Sequence, residues 1–425
     1  MSTATTTTTT TTTTRENPTQ LPPQVINSKP AVGATLAQED AQASKLLSPS
    51  TIRSVTLNNR IVVSPMCMYS SQDGFFNDFH VAHYGQFAIK GAGMIIIEAT
   101  AVEPRGRITP EDAGLWSDDH IPQLAKIVSL IKSQGSVPAI QIAHAGRRAS
   151  VYSPFHGAEC LVPEEFGGWP ADIFGPTGEQ YSEGYGIPKQ MTEQDMEQVI
   201  QHFADAAVRA DKAGVEVLEI HSAHGFLLHS FLSGNSNQRT DRFGGDSLEN
   251  RLRFPLAVVE RVRAAWPAHK PLWVRLSASD HKSNDGTLVG GEDADGWDIR
   301  HATVYAKKLK EIGVDVIDVS SGGNVSQAYY SAGPLYQVPF SEYIKKEADI
   351  ATGAVGIITE PKDAEDVLQN GQADYILIAR ELLRDSGWVN RASKELQIEV
   401  KWPKQYLRAN RERYLMTVSA NKKYE

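Results

Sequence analysis

The sequence is poor in cysteine, in long apolar runs and in basic charge, and each shortage excludes a class of protein. Only two cysteines, Cys67 and Cys160, occur in 425 residues, which excludes a disulfide scaffold and leads us to expect a reducing compartment, the cytoplasm. Apolar runs such as 94–97 are far below the ~20 residues of a membrane span, so no membrane partner is expected. Lys and Arg number 42 against 51 Asp and Glu, and the net charge of -9 argues against nucleic acid as a partner.

The N-terminal segment differs in composition from the rest of the chain. Residues 5–14 are all threonine, and polar sequence rich in Pro, Gln and Ala follows up to about Gln42. Such a segment cannot bury enough apolar surface to offset its ordering entropy. Arg15 is its only basic residue before Lys29, whereas a transit peptide has repeated arginines. We therefore predict a disordered tail over residues 1–42 and one folded domain, with a C-terminal extension, over 43–425.

Eight short runs rich in Ile and Val alternate with longer amphipathic segments. Unalternated apolar runs are typical of parallel strands buried on both faces. The runs span 61–66, 94–100, 137–143, 216–221, 272–276, 314–319, 352–356 and 374–378. Helix starts are predicted at Thr192 with Asp195, at Asp246 with Glu249, and at Asp298. The pattern predicts an α/β fold, a single (β/α)8 TIM barrel. A doubly wound sheet is the second interpretation, weakened because no Gly-x-Gly-x-x-Gly turn follows the first run.

A long connection separates the third and fourth predicted strands. Residues 150–190 are rich in Gly and Pro and contain several aromatic side chains. A connection of this length is typically a lid or a subunit contact. We predict a lid loop after strand 3.

The carboxyl ends of the strands carry the chemistry in such barrels. The residues predicted there are polar and poor in carboxylate pairs. They are Pro65, Met66 and Cys67; Glu98, Ala99 and Thr100; Gln141 with His144; His221 with His224; Arg275; Ser320–Gly323; Gly356; and Ala379 with Arg380.

The pair His221 and His224 has three interpretations. A zinc site needs a third ligand, for which His229 is the candidate, and usually a general-base carboxylate, which does not follow the first histidine. Two buried structural histidines are the second interpretation. The third, which we favour, makes the imidazoles hydrogen-bond donors to a developing oxyanion. We therefore predict no metal ligands.

Other strand-end residues suggest an anionic cofactor. Arg275 lies in an apolar strand, where a guanidinium needs an anionic or electron-rich partner, either a structural ion pair or a cofactor. Glycines and small residues at strand ends expose backbone N–H groups, and Arg380 adds a bidentate donor, which together suit a phosphate. Cys67 is either a structural cysteine or a thiol in contact with a cofactor or substrate.

Five separated motifs combine these residues in one order along the chain. They are Ser64-Pro65-Met66-Cys67-Met68-Tyr69, Gln141-Ile142-Ala143-His144-Ala145-Gly146-Arg147, His221-Ser222-Ala223-His224-Gly225, Ser236-Asn237-Gln238-Arg239-Thr240-Asp241-Arg242-Phe243-Gly244-Gly245 and Arg380-Glu381-Leu382-Leu383-Arg384. With these motifs the sequence resembles the Old Yellow Enzyme family over about residues 45–415, and within it the thermophilic-like subgroup.

The resemblance implies an FMN-dependent, NAD(P)H-driven reductase of the activated C=C bond of α,β-unsaturated carbonyl compounds, working by a ping-pong mechanism. By this resemblance His221 and His224 bind the substrate carbonyl, Tyr69 is a further catalytic contact, and Arg408 reaches into the site of a neighbouring subunit of a homodimer or homotetramer. The implied FMN contacts are Ser64, Pro65, Met66, Cys67, Ala99 and Gln141 along the ring, Arg275 at its N1/O2 side, and Gly356, Ala379 and Arg380 at the phosphate.

The sequence departs from the family pattern at two positions. Phe226 stands two residues after the second histidine, where many members have a proton-donating tyrosine. Either Tyr69, another tyrosine of the lid or water takes that role, or the protonation step is slower. Ala379 replaces a common glycine but keeps its backbone N–H. Three alternatives stay open: a pathway-specific flavin dehydrogenase or isomerase, a metal-dependent barrel hydrolase, and an FMN-binding protein without turnover.

Overall fold

Eight parallel strands close into a barrel in the computed structural model, which describes residues 30–156, 160–282, 296–329 and 332–410. The strands are β1 Ile61–Val63, β2 Met94–Ala101, β3 Val137–Ala143, β4 Val217–Ser222, β5 Leu272–Ser277, β6 Val316–Ser320, β7 Ala351–Ala354 and β8 Tyr375–Ile378. Each strand pairs with the next in the chain, and β8 closes on β1 through Leu377 and Val62. The predicted TIM barrel is confirmed, and the doubly wound sheet is wrong.

A helix follows each barrel strand. The eight are α1 Asp78–Ile89, α2 Ile121–Gln134, α3 Glu193–Lys212, α4 Leu248–Ala265, α5 Ile299–Ile312, α6 Val338–Ala348, α7 Pro361–Gln369 and α8 Trp388–Glu395. Shorter helices span Gln38–Ala43, Leu227–Leu232 and Arg380–Arg384, and 3-10 turns span Pro104–Gly106, Asp118–His120, Gly146–Arg148, Pro154–His156, Glu164–Phe166 and Lys404–Ala409. Two small strand pairs are Ser50–Ile52 with Val55–Leu57 and Phe174–Gly175 with Lys189–Gln190.

Side-chain caps fix where the long helices begin. Thr192 accepts from the Asp195 N–H at 3.2 Å and the Asp195 carboxylate accepts from the Thr192 N–H at 2.8 Å, which confirms the predicted capping box. Asp298 caps α5 as predicted. The predicted start of α4 at Asp246 is wrong by one residue, because the Ser247 hydroxyl is the group that accepts from the helix, at the Asn250 N–H.

The core follows the strand pattern predicted from the sequence. All residues of β2, β3 and β4 are buried, because each strand packs on the barrel interior with one face and on the helices with the other. Large buried rings between the strands and helices, such as Phe203 and Phe254, fill the outer layer. This scaffold holds the strand ends in fixed positions.

The N-terminal part of the described chain closes the amino-terminal end of the barrel. The predicted tail reaches residue 42, but residues 30–42 contact the barrel and the C-terminal segment. The Gly33 N–H donates to the Lys401 carbonyl at 2.9 Å, and Asn59 donates to the Gly33 carbonyl at 3.1 Å. Gly33 also packs so closely that a Cβ there would lie 2.1 Å from the Gly91 oxygen. Composition missed this boundary because the segment is held by backbone hydrogen bonds. Residues 1–29 lie outside the described residues.

The long connection after β3 extends over the carboxyl end of the barrel. Phe155 makes an edge contact with Tyr69 at 5.8 Å between ring centroids, and Tyr181 lies 4.4 Å from the Arg148 guanidinium. The Trp169 indole donates to the Arg105 carbonyl at 3.1 Å. The predicted lid position is confirmed for the described part of this loop. Across the described ranges, no helix combines the length and hydrophobicity needed to cross a bilayer.

Candidate active site

The loop after β1 carries Cys67. Glu98 of β2 holds this loop in place by a hydrogen bond. The buried Glu98 carboxylate accepts from the Met68 N–H at 2.7 Å and from the Tyr84 hydroxyl at 3.0 Å. Burial raises the pKa of the Cys67 thiol, and the negative charges of Asp112 and Glu98 act in the same direction. Cys67 is therefore a protonated thiol, able to donate a weak hydrogen bond, and not a thiolate nucleophile.

Tyr69 is held in an uncommon backbone conformation at the edge of the site. Its φ is +48°, in the left-handed region that a bulky residue rarely adopts. Burial raises the pKa of the phenol well above its ordinary value, and the neighbouring Cys67 adds to this, while Arg148 opposes it. The hydroxyl is therefore neutral and keeps its proton.

His221 and His224 come together after β4, with ring centroids 5.1 Å apart. Burial lowers the pKa of both imidazoles well below the ordinary value, and the charge of Arg275 lowers them further, so both rings are neutral. The His221 Nδ1 accepts from the Ala223 N–H at 3.2 Å, so its proton sits on Nε2. No described residue hydrogen-bonds to that Nε2, which makes His221 a donor with its N–H available.

His224 differs from its neighbour because its Nε2 already has a partner. It lies 2.7 Å from the Ser320 hydroxyl, which in turn is 3.4 Å from the Gln337 side-chain oxygen. Ser320 therefore donates to Gln337 and accepts from His224. The structure brings the two histidines together as predicted, but only His221 presents an N–H without a partner in this arrangement.

The barrel interior beside His221 contains a buried charged cluster. The Arg275 Nε lies 3.1 Å from the Asp318 carboxylate on the next strand. Glu219 accepts from the Gln141 amide at 2.8 Å, and burial together with the Asp318 charge raises the pKa of Glu219. Burial raises the pKa of Asp318 to about 6, although Arg275 opposes this shift. Arg275 thus supplies positive charge next to His221, and its guanidinium also donates to Ser64 at 3.3 Å.

Gly356, Ala379 and Arg380 form a corner at the ends of β7 and β8. Gly356 has φ +123°, and a Cβ there would lie 3.0 Å from the Gln337 amide, so the backbone approaches this corner without a side chain. Arg380 is exposed at the first position of the short helix Arg380–Arg384. In the described part of the chain it makes no ion pair or hydrogen bond. An available guanidinium beside an open glycine backbone suits a phosphate.

His229 is the third ligand of the metal interpretation, but its hydrogen-bonding partners are groups other than the two histidines. Its Nδ1 accepts from the Gly225 N–H at 2.9 Å, and its Nε2 lies 3.1 Å from the Asp280 carboxylate. Both ring nitrogens are therefore used in holding the turn that follows His224. The interpretation as a three-histidine metal site is wrong for this residue.

Arg408 is not part of the site of its own barrel. It lies in the exposed turn Lys404–Ala409, where the Tyr406 ring packs 4.7 Å from the Lys90 ammonium at the end of α1. That end of α1 is at the amino-terminal side of the barrel, because only a short turn, residues 91–93, separates Lys90 from the start of β2. Any role of Arg408 in a site therefore requires another subunit.

Sequence reasoning missed three carboxylates around the site, Asp112, Glu219 and Asp318, and it placed a fourth, Glu98, at a strand end without giving it a role. All four are buried. Glu98, Glu219 and Asp318 had a signal, since each interrupts an otherwise apolar strand. Asp112 had none, because it comes from a loop of ordinary polar composition that the fold turns inward.

The residues at the strand ends fit a flavin mononucleotide. The available Arg380 and the open Gly356 backbone suit its phosphate, and buried Arg275 suits the electron-rich edge of the ring. Gln141 and the small Ala99 lie on adjacent buried strands between them. The donor set contains one cation for the phosphate and one for the ring, as this cofactor requires.

Comparison with known proteins gives the same assignment. The model of the NADH:flavin oxidoreductase / NADH oxidase family matches residues 45–399. The NADPH dehydrogenase of Bacillus velezensis is 46% identical over 369 residues, covering 86% of this chain and 99% of that protein. The NADPH dehydrogenase of Geobacillus thermodenitrificans is 45% identical over 365 residues, covering 85% and 98%.

Solved structures share the fold at lower identity. Morphinone reductase in complex with tetrahydroNAD has a TM-score of 0.67 at 22% identity, covering 84% of this chain and 92% of that one. A 2-naphthoyl-CoA reductase complex has a TM-score of 0.71 at 22% identity, covering 83% and 52%. The chain therefore belongs to the NADH:flavin oxidoreductase / NADH oxidase family, the Old Yellow Enzyme family that its motifs resemble, and is an oxidoreductase with FMN as cofactor and a nicotinamide nucleotide as co-substrate.

Proposed function

We propose that this enzyme reduces the activated C=C bond of α,β-unsaturated carbonyl compounds at the expense of NADPH, in two successive half-reactions at one site. The observation that carries the proposal is the neutral His221, whose Nε2 proton has no described acceptor. An imidazole N–H in a buried site is suited to receive negative charge as it develops on a carbonyl oxygen. The NADPH preference rests on the names of the relatives.

The residues of this chain divide the work between binding and charge stabilisation. Bound FMN would accept a hydride from the nicotinamide and pass it to the electron-poor carbon of the alkene. Gly356, Ala379 and Arg380 would hold its phosphate, while Ser64, Pro65, Met66, Cys67, Ala99 and Gln141 would line its ring. Arg275 would place positive charge beside the electron-rich edge.

His221 and Tyr69 act on the substrate side. The His221 N–H orients the carbonyl oxygen and stabilises the enolate charge, which lowers the barrier only if the bond strengthens in the transition state. His224, held by Ser320, packs against His221 and fixes its ring. The neutral Tyr69 hydroxyl closes the other side under Phe155 of the lid.

An anaerobic titration tests the proposal. Adding NADPH to the purified protein should bleach the bands of oxidised flavin, and adding cyclohexenone should restore them. Bleaching without recovery would contradict enone reduction. A protein that stays colourless after incubation with FMN would contradict the cofactor assignment.

Phe226 favours one second candidate, a pathway-specific flavin dehydrogenase or isomerase. A phenylalanine has no proton to give, and this departure from the family pattern is the observation that raises a different natural reaction. Product analysis with and without NADPH separates the two. Isomerisation without consumption of NADPH would favour the second candidate.

We further propose a cytoplasmic homo-oligomer in which Arg408 completes the site of a neighbouring subunit. The position of Arg408 on the amino-terminal side of its own barrel supports a contact with the site of a neighbouring subunit. Mixing two inactive variants, Arg408→Ala and His221→Ala, tests it after subunit exchange. A hetero-oligomer contains sites with His221 from one subunit and Arg408 from the other, so partial activity should return. No recovery in a mixture shown to exchange subunits would contradict the role of Arg408.

A further inference from the structure

The proton needed to complete alkene reduction has no donor at Phe226 and must come from another acidic group. A small cavity of about 10 Å³ lies directly against the Phe226 ring. Ala99 and Ala143, at the ends of β2 and β3, form part of its wall, and the Asp112 side chain forms another part. The volume corresponds to about one water molecule. The cavity therefore connects a buried carboxyl group with the position where the family usually has its proton donor.

Asp112 is held toward this cavity by short hydrogen bonds from its own loop. Its carboxyl group accepts from the Ile108 N–H at 2.6 Å and from the Thr109 hydroxyl at 2.8 Å. The side chain is almost fully buried, with 3% of the residue exposed. Because both bonds fix the carboxyl group, it has a defined position beside the cavity and does not rotate into solvent.

Burial and the charge of Glu98 favour the protonated form of Asp112, whereas the cation Arg107 opposes it. Glu98 and Cys67 face it from β2 and the β1 loop, Tyr69 lies beside Cys67, and Arg107 of its own loop is the neighbouring cation. Burial raises the pKa of Asp112 to about 7, and the charge of Glu98 adds to the shift, against the two hydrogen bonds. Near neutral pH this carboxyl group can therefore both release and regain a proton.

We infer that Asp112, through one water molecule in the cavity beside Phe226, supplies the proton that the α-carbon of the substrate takes up. The inference rests on the proposed function. When a hydride has been added to the β-carbon, the substrate carries one negative charge as an enolate. The water gives a proton to the α-carbon and takes one from Asp112, which becomes a carboxylate. A proton from solvent restores it, so the alkene gains one hydride and one proton.

Phe226 and the alanines at the strand ends shape the two sides of this cavity. Phenylalanine at position 226 leaves the cavity apolar on one side, and the small alanines at the strand ends leave room for the water. A proton-supplying residue that acts through water is expected to contribute about 10²–10⁴-fold to the step it serves. That step belongs to reoxidation by the alkene and not to reduction by NADPH.

Stopped-flow measurement of both half-reactions in the FMN-loaded enzyme tests the inference. Asp112→Asn should slow reoxidation by cyclohexenone about 100-fold or more and change reduction by NADPH less than about twofold. The pH dependence of reoxidation near neutrality should disappear with it. Asp119→Asn, an exposed aspartate of the same loop, is the matched control and should behave like the unmodified enzyme.

A rescue experiment separates proton supply from a structural role. Phe226→Tyr introduces a hydroxyl at the other wall of the cavity, so the double variant Asp112→Asn with Phe226→Tyr should recover most of the lost reoxidation rate. A structural role in the 108–112 turn would not be rescued. Independently of activity, ¹³C NMR of aspartate-labelled enzyme should show one carboxyl resonance that titrates near pH 7 and is absent from Asp112→Asn.

The outcomes are distinguishable. Unchanged reoxidation in Asp112→Asn, or a slow variant that Phe226→Tyr does not rescue, overturns the inference and leaves the proposed function intact. Normal Asp112→Asn together with slow Tyr69→Phe assigns the proton to the phenol instead. If the unmodified enzyme is bleached by NADPH but never reoxidised by cyclohexenone, the proposed function fails, and the inference fails with it.

Discussion

Arg275 and Asp318 occupy opposite positions on adjacent strands, and their side chains form an ion pair of 3.1 Å inside the barrel. The same register places His221 opposite Arg275 on the other side. One row across β4, β5 and β6 therefore links the oxyanion donor, the cation and its carboxylate. This row makes the electrostatics of the site depend on strand register.

Replacing Arg275 should change both the flavin and the fold. In Arg275→Gln the reduced flavin loses a stabilising charge, and a tenfold weaker preference for the reduced form corresponds to about 30 mV in the reduction potential, toward more negative values. The buried Asp318 also loses its partner, at a cost of about 3–5 kcal/mol if it stays ionised. Potentiometric titration and urea unfolding measure the two effects.

The double variant Arg275→Gln with Asp318→Asn is the control for stability. The double variant lacks the unpaired carboxylate, so its free energy of unfolding should recover much of the loss. The reduction potential of its flavin should stay as low as in Arg275→Gln. A double variant with the original potential would show that Arg275 does not act on the flavin.

His221→Ala should slow reoxidation of the flavin by an enone much more than its reduction by NADPH. Loss of one donor to an oxyanion typically costs about 10²–10³-fold. His224→Ala should cost less, because its Nε2 is already bonded to Ser320. Stopped-flow spectroscopy separates the two half-reactions, and His269→Ala, an exposed histidine, is the control. Equal losses in both half-reactions would assign His221 to the fold or the flavin.

Arg380→Ala should weaken binding of FMN about 10–100-fold, because one charge-assisted hydrogen bond contributes about 1.5–3 kcal/mol. Binding of riboflavin, which lacks the phosphate, should change little. Arg384→Ala on the same short helix is the matched control, since Arg384 pairs with Glu381. Quenching of flavin fluorescence measures each dissociation constant. Equal weakening for FMN and riboflavin would argue against a phosphate contact.

The free energy of unfolding should decrease as the pH rises from about 4 to about 7, because of the buried carboxyl group of Asp112. The pKa of Asp112 is about 7 in the folded chain and ~3.9 in the unfolded one, so the folded state binds more protons in this window and stability decreases as pH rises. A difference of about 3 pKa units corresponds to about 4 kcal/mol, fully lost above pH 7. Asp112→Asn carries no charge in either state.

The measurement compares the free energy of unfolding of the two proteins at several pH values. The difference in stability between Asp112→Asn and the unmodified protein should therefore increase from pH 4 to pH 7 and then level off. A difference that is constant with pH would mean that Asp112 is ionised in the fold throughout this range.

Much of this protein follows from its sequence alone. The eight apolar runs match the eight strands to within a few residues, because a parallel strand buried on both faces needs apolar side chains at every position. Local motifs also placed Thr192 and Asp298 at helix starts, since a cap depends only on neighbouring residues. The strand-end position of His221, Arg275 and Arg380 followed once the barrel was recognised.

The tertiary structure decided what depends on long-range packing. It gave His221 an available N–H and His224 a partner in Ser320, a difference that two identical side chains cannot show in sequence. It joined residues 30–42 to the barrel through backbone hydrogen bonds, which composition does not encode. It also placed Asp112 and Phe226, which are far apart in the sequence, in the wall of one cavity. The sequence determines which groups exist and where strands end, whereas only the closed barrel determines which groups lose water and which neighbours they meet.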